Sequence, residues 1–114
     1  MKKDDAVYLG HIIDLADKIS QRVKGKSRDN FDSNEDLRIV LTHLVQTIGE
    51  AARRVSPAFQ KDHPEVPWSD IIGMRHRIVH DYMDVDEDIV WDVVTFELPK
   101  FIQKIRPLIP TERT

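Results

Sequence analysis

The 114-residue chain has no cysteine, only four glycines and six prolines, and few aromatic side chains. Without a thiol there is no disulfide scaffold, no thiol nucleophile, no redox pair and no Cys-ligated zinc or iron–sulfur centre. The same absence fits a reducing cytosol. No apolar run approaches the roughly 18 residues that a bilayer crossing needs. The opening Met1-Lys2-Lys3-Asp4-Asp5 lacks the apolar stretch of a signal peptide. A cytoplasmic protein with no membrane contact is therefore expected. What is present, 40% hydrophobic and 32% charged residues, is the composition of a soluble globular chain. The length suits one domain, residues 1–114, able to bury a single modest core. Seventeen basic residues against 20 acidic ones give a net charge of −3, which argues against a passive, charge-driven coat on nucleic acid.

That small net charge conceals a local asymmetry. From Arg53 to Arg77 the chain carries Arg53, Arg54, Lys61, Arg75 and Arg77, with His63 and His76. From Asp81 to Glu97 it carries seven acids and no Lys or Arg. The boundary falls at His80. Most such runs are solvated faces and helix-end decoration.

Four helical segments are legible, and no strand pattern is. Leu9, Ile12, Ile13, Ala16, Ile19 and Val23 recur at three- and four-residue steps, with Gly25 just past them as a C-terminal cap. After a polar linker, Asp32 or Ser33 is expected to cap a second helix, with Glu35 completing a capping box. This helix has the clearest stripe: Leu37, Val40, Leu41, Leu44, Val45, Ile48, Ala52 and Val55. At about 100° per residue, Gly49, Glu50 and Arg53 fall on the other side. A glycine there costs roughly 1 kcal/mol against alanine, so Gly49 predicts close approach by another backbone. A connection rich in helix breakers, Ser56 to Pro67, leads to a third helix that starts near Trp68–Asp70 and turns Ile71, Met74 and Ile78 inward. Asp86, Glu87 and Asp88 open the last helix, which should kink at Pro99. The pattern predicts an all-α fold: a single up-down bundle of four to five helices.

Chemistry concentrates in Gly73-Met74-Arg75-His76-Arg77-Ile78-Val79-His80-Asp81-Tyr82. An arginine fork matches two phosphate oxygens at once, and an imidazole both takes and gives a proton near neutral pH. Together they suit transesterification of RNA. A base removes the 2′-OH proton, the guanidinium neutralises charge at phosphorus, and an acid protonates the leaving 5′-oxygen. On an unbroken helix, however, Arg75 and His80 would lie about 140° apart around the axis. They converge only if the helix ends near His80 or a second chain contributes. By spacing alone, a helix end with a buried tyrosine and surface His and Arg is the simpler outcome.

The string Arg75-x4-His80-x-Tyr82 resembles the RxxxxHxY signature of the HepT-like toxins of the HEPN superfamily. Tyr8-Leu9 and His11-Ile12 are similar to that family's opening helix, and Ile48-Gly49-Glu50-Ala51-Ala52 to its second-helix motif. Pro64-Glu65-Val66-Pro67-Trp68 resembles its entry into the third helix, and Trp91 with Leu98-Pro99 its last helix. The similarity thus runs in order through nearly the whole chain.

This resemblance implies a helical bundle acting as a metal-independent endoribonuclease, with no cofactor. It implies a homodimer in which two copies of the motif line one cleft. Arg75 would stabilise the phosphate and His80 would act as general base or acid. Tyr82 matches the tyrosine that a partner minimal nucleotidyltransferase antitoxin adenylylates. His76 stands where the family most often has asparagine; His76, Arg77, Glu50 and Arg53 would supply RNA or interface contacts. The rival within the family is a non-catalytic module that binds nucleotide or RNA, or docks on a nucleotidyltransferase. Two metal sites compete more weakly. His76 and His80 are spaced i, i+4, but without the ligand set of a closed zinc site. Asp84-x-Asp86-x-Asp88 has Ile89 where a calcium loop needs glycine, and Thr95 where it needs glutamate.

Overall fold

A computed structural model describes residues 2–81 and 84–109, and within them the fold is helical. Helix α1 spans Lys3–Val23. It ends at Lys24 followed by Gly25, whose φ of 72° lies in the left-handed region that glycine enters without strain. The linker expected to be irregular instead forms a short helix, α2 (Arg28–Asp32). Ser27 caps it by accepting from the Asn30 N–H, and the Asn30 side-chain oxygen accepts in turn from the Ser27 N–H. This reciprocal box is built on Ser27 and Asn30, not on Asp32 and Glu35. It is anchored by Phe31, which is fully buried and tilts against Trp91 with ring centroids 5.0 Å apart.

Helix α3 (Glu35–Arg54) is capped by Asn34, which accepts from the Leu37 N–H at 3.0 Å. Asp32 and Ser33 therefore belong to the end of α2 and do not start α3. The predicted apolar stripe is the buried face, and α3 is the central element, packing against α1, α2, α5, α6 and α7. Helix α4 (Pro57–Asp62) occupies the breaker-rich connection: Ser56 caps it and Pro57 fills its first turn, where no N–H is missed. Buried Asp5 of α1 accepts from both the backbone N–H and the hydroxyl of Ser56, at 2.7 and 2.8 Å, tying the chain's start to this corner.

The third expected helix is two short ones, α5 (Trp68–Ile72) and α6 (Met74–Ile78), jointed at Gly73. A small antiparallel hairpin follows, which the sequence pattern did not reveal. Its strands, β1 (Val79–Asp81) and β2 (Asp84–Val85), pair Val79 with Val85 and Asp81 with Asp84. Two and three residues are too few for a period-2 signal to register. The last segment is continuous helix in three parts: α7 (Glu87–Asp92), a π-turn (Val93–Glu97) and α8 (Leu98–Ile105). Pro99 has no N–H to give and its ring crowds the carbonyl four residues back. The widened turn before it accommodates both defects. A 3-10 turn over Arg106–Leu108 closes the described chain; Pro110 lies outside the described residues.

Every helix contributes to one apolar core cluster, from Leu9 in α1 to Ile105 in α8. The close approach expected at Gly49 is present, but Gly49 is buried with the core residues of α3 and does not lie on the far face with Glu50 and Arg53. A Cβ there would come within 3.1 Å of the Ile71 carbonyl oxygen, so α3 and α5 meet backbone to backbone at this point. Gly49 is thus buried inside the chain's own bundle. No helix among the described residues is long and apolar enough to cross a membrane.

Candidate active site

Helix α6 is oriented by Met74 and Ile78, both fully buried. With these two pointing inward, 100° per residue sends His76 outward and sets Arg75 and Arg77 on opposite flanks. The two arginines have different surroundings. Arg77 donates two bonds to Glu97, Nη1 to Oε1 at 2.7 Å and Nη2 to Oε2 at 2.8 Å. The hydrogen bond from Arg77 holds the Glu97 carboxyl below its ordinary value, against a smaller opposing effect of burial. The same bond raises the Arg77 guanidinium further. Arg77 is therefore a strut between α6 and the π-turn.

Arg75 lies on the α3 side. There the Glu50 carboxylate accepts a hydrogen bond from the Arg53 guanidinium. That bond is the main reason its pKa is lowered, and the charges of Arg53, Arg54 and Arg75 lower it further. Arg53 is bonded to this carboxylate, Arg54 and Arg75 lie near enough for their charges to act on it, and all three arginines are exposed. These arginines come from two elements, α3 and α6. His76, next to Arg75, is also exposed.

His80 leaves the helix, which satisfies one of the two conditions under which it and Arg75 can converge. The α-helix ends at Ile78 because Val79 adopts extended backbone, φ −118° and ψ 106°. The His80 side chain is 55% exposed, and its Nε2 faces Oδ2 of Asp86 at 3.8 Å. Asp86 also pins the exit in two other ways: its N–H donates to the Ile78 carbonyl at 2.7 Å, and its Oδ1 accepts from the Ile89 N–H at 3.1 Å to cap α7. Sequence reasoning saw Asp86 only as a charge favouring a helix start. Its spacing from Ile89 is the signature of a cap, but its proximity to His80 depends on the hairpin. Tyr82 lies outside the described residues.

The break at Ile78 also removes the premise of a zinc pair, since His76 and His80 no longer share a helical face. In the Asp84-x-Asp86-x-Asp88 run, Asp86 serves as a cap and Asp88 accepts from Arg28 at 2.6 Å. Among the described residues no group of three or more His, Asp or Glu is placed to hold a metal ion. Three of the seven acids from Asp81 to Glu97 are paired with arginines: Glu87 with Arg38 at 3.2 Å, Asp88 with Arg28 and Glu97 with Arg77. An apolar groove of about 830 Å³ between α1 and α8 contains none of these residues.

A family model described as "Ribonuclease HepT-like" matches residues 12–108. A protein of Caldanaerobacter subterraneus subsp. tengcongensis, named "Putative RNase TTE0752", is 30% identical over 93% of this chain and 95% of its own length. A Thermococcus cleftensis protein named "Probable ribonuclease HepT" is 26% identical over 95% of this chain and 98% of its own. The chain is also 30% identical to part of a Methanocaldococcus jannaschii protein named "Gamma-glutamylcyclotransferase and putative RNase MJ0434", spanning 92% of this chain but only 47% of that protein. No solved structure gives a significant match.

Proposed function

The chain belongs to the HepT-like ribonuclease family, and from that membership we propose that it is a metal-independent endoribonuclease acting through Arg75 and His80. The family match over residues 12–108 carries this reading. The helix end at Ile78 and the shared surroundings of Arg75, Arg53 and Arg54 support it.

In the proposed step an imidazole nitrogen of His80 removes the 2′-OH proton of the nucleotide before the cut. The 2′-oxygen attacks phosphorus, and the bond from phosphorus to the 5′-oxygen breaks. A second imidazolium, from His80 of a second copy, protonates the leaving 5′-oxygen. The products are a 2′,3′-cyclic phosphate and a 5′-hydroxyl. Arg75 sits against the non-bridging oxygens, where a fixed guanidinium is most effective as negative charge develops. The second copy implies a homodimer with two motifs facing one cleft. The biological setting we propose is a toxin, restrained by a minimal nucleotidyltransferase antitoxin that adenylylates Tyr82.

The test is cleavage of a mixed single-stranded RNA in excess EDTA. Wild-type protein is expected to yield cyclic-phosphate ends, and Arg75→Ala and His80→Ala to yield none while remaining folded. Undiminished cleavage by the His80→Ala protein, or cleavage that EDTA abolishes, overturns the mechanism. For Tyr82, incubation with the antitoxin and ATP should add one or more AMP masses, lost in Tyr82→Phe.

A further inference from the structure

On the flank of α6 opposite Arg75, the Arg77–Glu97 strut holds the π-turn against the motif helix. The residue before Glu97 is Phe96, which is 60% exposed. Among the described residues the exposed large apolar side chains are Val7, Ile39 and Phe96, and Phe96 is the aromatic one. One turn further on, Lys100 sets its ammonium 3.9 Å from the centre of the Phe96 ring. Lys104 follows at the same four-residue interval, also exposed, and from Leu98 to Ile109 the chain has no acid at all. A one-turn π-segment of this kind re-aims side chains relative to a regular helix, and such segments cluster at functional sites.

From these observations we infer that Phe96, with Lys100 and Lys104 beside it, is a stacking platform for an unpaired base of the RNA next to the cut. This inference rests on the ribonuclease reading. Bases stack on exposed aromatic rings whatever their identity, and neighbouring lysines bind the phosphates between them. The Lys100 ammonium covers the ring in the free protein; its flexible stem lets it move to a phosphate when a base takes its place. Lys100, Lys104 and the acid-free segment after Glu97 favour RNA as the occupant over a protein, on the side of the ring away from Asp92, which lies one turn before Phe96 and acts with Glu97 on Arg77. The apolar feature is a single ring set among Asp92, Thr95, Pro99, Lys100 and Gln103, all exposed, whereas a protein interface core needs contiguous apolar area. The strand would cross α6, with phosphates held by the arginine cluster on the α3 side and a base stacked on Phe96 on the other.

The experiment measures binding of a fluorescein-labelled 12-nucleotide RNA of mixed sequence, 2′-O-methylated throughout so that the attacking hydroxyl is absent. Phe96→Ala should weaken binding about 5- to 150-fold. Phe96→Trp should retain it, with quenching of the new tryptophan on titration. Lys100→Ala should weaken binding modestly and flatten its salt dependence by about one phosphate contact. Wild-type affinity in Phe96→Ala, no quenching in Phe96→Trp, or no binding by wild-type protein overturns the platform. So does a loss confined to binding of a protein partner. Failure of the ribonuclease reading shows separately, as wild-type protein that leaves unmodified RNA uncut while the stacking measurements stand.

Discussion

Arg75 and Arg77 sit two residues apart on one short helix, yet they belong to different regions of the molecule. On the last-helix flank, Arg77 has a carboxylate to itself, held by two short bonds. On the α3 flank, the Glu50 carboxylate is already bonded to Arg53, and Arg75 adds charge to a neighbourhood with more guanidinium than carboxylate. A matched pair is a structural tie, because its charge is answered. An excess of guanidinium is a place for an anion to arrive. The difference shows that charge type and spacing in the motif do not assign roles; the partner on the neighbouring element does.

The sharpest way to break that contrast is to remove each arginine in turn. Arg75→Ala should lower RNA cleavage by at least about 100-fold, the scale seen when one preorganised donor to a developing oxyanion is lost. Its melting temperature should stay close to that of the wild type, since Arg75 is exposed and faces other cations. Arg77→Ala should do the reverse. It should lose several degrees of melting temperature, in line with about 1 kcal/mol for a domain of this size, with cleavage falling tenfold or less. Equal losses of cleavage in the two variants would show that the flanks act as one unit.

A second prediction concerns the contact that brings α3 beside the motif helices. Gly49 lets α3 approach the α5 backbone, where even a Cβ would press on the Ile71 carbonyl oxygen. Gly49→Val adds two further methyl groups to a closed space, and overpacking of this kind costs roughly 1–3 kcal/mol. Urea denaturation should show the loss directly. Because the crowding would push α5 and α6 away from Glu50 and Arg53, cleavage should fall more steeply than stability alone requires.

The glycine also illustrates what the sequence discloses. A long amphipathic helix writes its buried face into the chain, so the stripes of α1 and α3 were legible, and so was the need for a close neighbour at Gly49. Elements held by a single contact were not. Helix α2 depends on Phe31 meeting Trp91, 60 residues away, and the hairpin on Asp86 meeting the Ile78 carbonyl. Arg75 and His80 were named as candidates from residue chemistry and family resemblance. Asp86, Glu97 and Phe96 were missed because their significance arises only when α6 lies between α3 and the last helix. Periodicity reports burial; it does not report which surfaces share an edge.

The smallest expected effect isolates the strut from everything else. Glu97 has its pKa lowered in the folded protein, chiefly by the hydrogen bond from Arg77. A carboxyl depressed on folding contributes stability that is complete above its unfolded pKa and disappears as pH falls through the folded one. The contribution of Glu97 should therefore be constant from pH 7 down to about 5 and decline below about 4.5, near the ordinary glutamate value. Because the Arg77 side chain is 40% exposed, water and salt screen the pair, and about 0.5 kcal/mol at neutral pH is the scale to expect. Glu97→Gln keeps a carbonyl oxygen for one of the two bonds and removes the charge. Its melting temperature should lie slightly below that of the wild type at pH 7 and converge with it in acid, once the pH has fallen below the lowered pKa of Glu97. Other carboxylates also titrate in this range, so the difference between the two proteins is the informative quantity. A gap that persists unchanged into acid would mean that Glu97 holds the π-turn through shape and neutral hydrogen bonding. In that case the contrast between the flanks of α6 would be one of packing, with charge playing no part on the Arg77 side.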